Sequence, residues 1–78
     1  MIDIERAPII DTVATGENIR RMRKARGVTV AKIQSFLSLE SPRSIYKWQS
    51  GATLPSMENL LGLSVLLNVS MNDIIKIA

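Results

Sequence analysis

Apolar residues along this 78-residue chain arrive in short helical bursts, each bracketed by residues that start or stop a helix. Thr15 is a suitable N-cap and Gly27 a stop, so residues 16 to 26 are predicted to form a first helix with Ile19 and Met22 on its inner side. Arg23 and Arg26 lie at the margins of that side, while Arg20, Arg21 and Lys24 face away. Thr29 opens a second helix, in which Ile33, Phe36 and Leu37 recur at i, i+3 and i+4. Ser38, Leu39 and Glu40 interrupt it. Ser41 then caps a third helix with Pro42 at its first position, where a missing N–H costs nothing and the fixed φ favours entry. Gly51 and Pro55 close that helix. Ser56 opens a fourth, whose Leu60, Leu61, Leu63, Val65, Leu66 and Leu67 cover more than one face, and Ser70 caps a last one with Ile74, Ile75 and Ile77.

Residues 1 to 14 contain Pro8 and Asp11 and keep no helical period, although Ile2 and Ile4 alternate as an extended segment would. They are read as an N-terminal arm, and residues 15 to 78 as one compact, all-α domain of five helices. A chain this short supports a single core and offers no cleft between domains.

The third helix is divided. On a 100° wheel Ile45 and Trp48 fall within about 60° of each other, and Arg43 and Lys47 sit together on the opposite side. The first pair is expected in the core and the second in solvent. Tyr46 lies about 100° from Ile45 and is placed toward the basic side, with the flank of the core as its other berth.

Composition narrows the chemistry. The sequence has neither cysteine nor histidine, which removes covalent staples, zinc clusters and the commonest general base. No nucleotide-binding loop or catalytic constellation is present, so the expectation is a non-enzyme without cofactor or metal. Asp3 and Glu5 stand where a secretory signal carries positive charge, and Gly62 and Ser64 break an apolar stretch already too short for a span. A cytoplasmic protein with no membrane partner is expected. Charge is unevenly spread. Between Ile19 and Ser50 stand Arg20, Arg21, Arg23, Lys24, Arg26, Lys32, Arg43 and Lys47 against Glu40 alone, while the formal charge of the whole chain is only +3. Such a concentration suits an anionic partner, with nucleic acid ahead of an acidic lipid surface.

The second and third helices, about eight residues each with a turn of three or four residues between them, have the dimensions of a helix-turn-helix. The runs GENIRRMRKARGVT and SIYKWQSGATLPSMENLLGLSVLLNVSMNDI resemble the helix-turn-helix DNA-binding domain of the Cro and phage-repressor type, also called Xre-like. The resemblance covers residues 16 to 75. It implies that the helix holding Ser41 to Gln49 is the recognition helix and that the loop after Gly51 approaches the DNA backbone. The residues it assigns to DNA are Ser41, Pro42, Arg43, Ser44, Tyr46, Lys47, Ala52 and Thr53. Arg43 can offer two parallel donors to O6 and N7 of guanine, worth about 1–3 kcal/mol of discrimination. Lys47, one turn on, reaches a base or a phosphate. Ser41 serves phosphate binding and helix capping equally well.

Four positions depart from the family pattern. Val30 stands where a phosphate-bracing glutamine is usual, Gln34 where a small alanine packs, and Ser38 where the turn carries glycine. Ser38 implies a turn that either avoids or tolerates a left-handed residue, at about 1 kcal/mol. Gln49 stands where a glutamate pairs with the first-helix arginine, here Arg23. An Arg23–Gln49 hydrogen bond is therefore expected, with Arg23 structural rather than DNA-contacting.

The function these readings imply is sequence-specific binding of double-stranded DNA by a homodimer, as a transcriptional repressor at an inverted repeat. The alternative is a protein-interaction module of the same fold, for example one binding a protein partner as an antitoxin does. Surplus apolar residues Leu61, Val65, Leu66, Ile75 and Ile77 would form its groove or the dimer seam, unless the arm folds back over them.

Overall fold

A computed structural model describes residues 6–78. Its helices are α1 (Thr12–Ala25), α2 (Val30–Phe36), α3 (Arg43–Ser50), α4 (Met57–Leu67) and α5 (Met71–Ile74), with no named strand among the described residues. Every helix places at least one side chain in a single core: Ile19, Ile33, Ile45, Leu63, Leu67 and Ile74 are fully buried, with Trp48 and Leu60 nearly so. The expected separation of Ile45 and Trp48 from Arg43 and Lys47 holds. The Leu37 side chain, just past α2, packs onto α4 at Gly62, its Cδ2 filling the space a Cβ would take.

Most start and stop signals act as anticipated. Thr29, Ser56 and Ser70 accept hydrogen bonds from the amides of Lys32, Asn59 and Asp73, which are the donors a helix start leaves orphaned. Gly27 and Gly51 take φ of +66° and +82° just past the ends of α1 and α3. Ser38 tolerates the left-handed conformation, at φ +55°.

Other boundaries are corrected by tertiary contacts. The first helix starts at Thr12, not after Thr15: Asp11 is the cap, its Oδ1 accepting the Ala14 amide at 2.9 Å. Thr15 is fully buried inside α1, and its hydroxyl oxygen accepts the Lys76 amide at 2.9 Å. The third helix starts one residue late, with Pro42 as cap, while the Ser41 hydroxyl accepts the Arg43 amide at 3.3 Å. Residues 37 to 42 separate α2 from α3, so the turn is longer than the three or four residues expected. Phe36 does not join the α2 core stripe and is 46% exposed, since Leu37 takes the place against α4.

The last helix ends at Ile74 rather than running through Ile77. Beyond it the chain is extended because three hydrogen bonds claim it. Lys76 donates to Thr15 and accepts from the Asp11 amide at 2.8 Å, the Ala78 amide donates to Ile9 O at 2.8 Å, and Ile10 pairs with Ile77 as an antiparallel bridge. Buried Asn18 completes the seam by donating to Ile74 O at 3.1 Å and Asp73 O at 3.3 Å, which caps α5. Part of the segment read as an arm is thus tied to the tail. The Ile2 and Ile4 alternation lies outside the described residues.

Candidate nucleic-acid interface

The face of α3 turned from the core exposes Arg43, Ser44, Tyr46, Lys47 and Ser50. Ser41, Pro42, Arg43, Tyr46, Lys47 and Ser50 line one open concavity at the surface. Tyr46 is 56% exposed and lines the same concavity as Arg43 and Lys47 rather than covering the core. Ser44 is exposed but outside the concavity. Ser50 was not among the sequence candidates; its signal is its spacing, three residues after Lys47 and seven after Arg43, which keeps one helix face.

Backbone contact with α1 fixes how this face is presented. A Cβ at Gly16 would collide with Trp48 O and sit 2.6 Å from Gln49 O, so the first half of α1 lies directly on the last turn of α3. Gly51, left-handed and packed on the Val13 backbone, turns the chain away immediately afterwards. At the other end of α1, Arg23 donates through Nε to Gln49 Oε1 at 3.0 Å and through Nη1 to Val28 O at 3.1 Å. The expected hydrogen bond is present, and one guanidinium joins α1, α3 and the entry to α2.

The loop after α3 spends its amides internally. Gly51 donates to Trp48 O at 3.1 Å, Ala52 to Lys47 O at 3.0 Å and Thr53 to Lys47 O at 3.4 Å, while the Ser50 hydroxyl also donates to Lys47 O. Ala52 and Thr53 are exposed, yet what they present outward is a methyl group and a hydroxyl rather than free N–H groups. Gln34 is half-buried and its amide reaches back to Leu39 O at 3.4 Å, bracing the turn before α3.

Away from α3, Met57, Leu61 and Val65 form an i, i+4, i+8 stripe along α4, exposed by 72, 54 and 64%. Leu66 and Ile75, expected among the surplus apolar residues, instead pack against the core, whereas Ile77 is exposed. Among the described residues no group of acidic side chains is arranged to hold a metal, and no helix is long and apolar enough to cross a membrane.

A family model described as helix-turn-helix matches residues 19–74. The fold is similar to the crystal structure of the restriction-modification controller protein C.AhdI from Aeromonas hydrophila, with a TM-score of 0.73, 22% identity, and coverage of 82% of this chain and 96% of that one. No curated protein sequence matches it.

Proposed function

The chain belongs to the Xre/Cro-type helix-turn-helix family of DNA-binding transcription regulators, and from that premise we propose that it reads a specific duplex sequence as a homodimer and represses from an inverted-repeat operator. The observation that carries this reading is the division of α3, where buried Ile45 and Trp48 anchor a helix whose opposite face offers Arg43 and Lys47 one turn apart. Arg43 makes the bidentate contact to a guanine edge, Lys47 and Tyr46 work one turn further in, and Ser41, Pro42 and Ser44 line the groove wall. Thr53 supplies a hydroxyl to phosphate, and Ala52 permits close approach. The concentration of basic residues from Arg20 to Lys47 supplies the salt-sensitive part of the affinity. Two copies joined through exposed Leu61 and Val65 would present two recognition helices to the two half-sites of an inverted repeat. Repression then follows from occupying a promoter.

The test is selection from a random duplex library, run with the wild type and with Arg43→Ala combined with Lys47→Ala. An inverted repeat enriched by the wild type and lost by the variant is expected. Enrichment of nothing by either protein would leave the protein-interaction module as the better reading, which the same exposed stripe on α4 favours.

A further inference from the structure

Where the loop after α3 meets the paired chain ends, the fold keeps a cavity of 160 Å³. Its floor is Thr15 and Leu60, both buried, and its walls are Ile75, Pro55 and Leu54. Met57, Ile10 and Leu54 are exposed, so the hollow opens to solvent along that rim. Every lining residue but one is apolar, and the exception is already engaged, since the Thr15 hydroxyl oxygen accepts the Lys76 amide. A charged or strongly polar guest would lose its hydration there with at most one hydroxyl to replace it. The volume of this apolar hollow is about that of a benzene-sized molecule.

We propose that this cavity binds a small uncharged apolar molecule, about one aromatic ring in size, and that the guest acts on the loop after the recognition helix. The lining comes from three stretches that depend on one another. Leu54 and Pro55 directly follow Ala52 and Thr53, Ile10 belongs to the bridge with Ile77, and Ile75 begins the extended tail that Thr15 and Asn18 hold. A guest that touches all three favours the arrangement in which they are closed together, and it shifts the loop only as far as it prefers that arrangement. The hollow reaches down to buried Thr15 and Leu60 behind an exposed rim, which a free molecule can enter, whereas Leu61 and Val65, the exposed residues open to a second copy, do not line it. The loop effect rests on the DNA-reading proposal, whereas binding of the guest does not.

Toluene and indole are the probes, titrated into protein carrying labelled isoleucine, leucine and valine methyl groups and followed by NMR without DNA. Saturable shifts at Ile10, Leu54, Leu60 and Ile75, with Leu61 and Val65 unmoved, are expected. Leu54→Phe and Met57→Phe, made separately because either could disturb folding, fill the hollow or its mouth and weaken probe binding about tenfold, while Phe36→Ala, at an exposed position outside the lining, leaves it unchanged. Absence of saturation by either probe, shifts spread equally over the α4 stripe, or cavity methyls that move on dilution of the protein alone would overturn the site, the last by identifying a second copy as the occupant. If library selection yields an operator, its affinity changes by about fivefold or more at saturating probe, and no change would overturn the action on the loop. If selection yields nothing, the DNA reading fails while the methyl titration still decides the site.

Discussion

Arg23 and Gln49 meet through a 3.0 Å hydrogen bond from Nε to Oε1. The same guanidinium holds Val28 O, so its removal orphans two acceptors and loosens α3 from α1. Arg23→Met is expected to cost about 2–3 kcal/mol in urea unfolding. A variant of unchanged stability with weakened DNA binding would make Arg23 a DNA contact instead. Gln49→Glu restores a charged partner and should add about 0.5–1 kcal/mol, a gain that shrinks as salt is raised.

Gly16 is required by proximity rather than by backbone freedom. Alanine would normally help a helix interior by about 1 kcal/mol, but here its Cβ meets the carbonyl oxygens of Trp48 and Gln49, which cannot swing aside as a flexible side chain can. Gly16→Ala should therefore lower stability by about 2 kcal/mol or more. Gly27 provides the contrast: nothing lies within 4 Å of a Cβ there, so Gly27→Ala should cost about 1 kcal/mol, from its positive φ alone.

The turn before α3 carries strain that one substitution can relieve. Ser38 sits at φ +55°, where a Cβ is penalised and glycine is not. Ser38→Gly should raise the midpoint of thermal unfolding, by up to about 1 kcal/mol of stability after the greater entropy of unfolded glycine is counted. A fall in the midpoint would mean that the serine side chain supports the turn.

Acid should weaken the α5 end through one carboxyl. The Asp73 carboxylate accepts the Ser70 amide at 3.0 Å, and this bond, with a further one from the Ser70 side chain, holds the carboxyl below the ordinary aspartate value of 3.8. A carboxyl whose folded value is depressed contributes stability above the unfolded value and loses it as pH falls through the folded one. The wild type should exceed Asp73→Asn in stability at neutral pH, and the gap should close in acid below that value. A gap of constant size across the titration would contradict the assignment.

On DNA, the two exposed cations of α3 should behave differently. Lys47→Ala is expected to weaken binding to all sequences alike and to reduce the salt slope by about one if it holds phosphate, whereas Arg43→Ala should cost about 1–3 kcal/mol and relax preference at a single base pair. Fluorescence titrations at several salt concentrations, on matched and mismatched duplexes, separate the two.

Local chemistry by itself determined the helix count, three of the five N-caps, the stops at Gly27 and Gly51, and the inward pair Ile45 and Trp48, because caps and periodicity act over four or five residues. The candidate face of α3 was readable for the same reason, since residues spaced by three and four must share a side. Tertiary structure decided the rest. Thr15 looked like a cap and became a buried acceptor for the tail, and the isoleucine run after Ser70 was drawn out of helix by Thr15, Ile9 and Asp11, all more than sixty residues away in sequence. The inward turn of the Ala52 and Thr53 amides likewise depended on the Lys47 carbonyl lying in reach once α3 had ended. A residue's spacing fixes which face it occupies, but which partner waits on that face is settled only when distant segments compete for the same hydrogen-bonding groups.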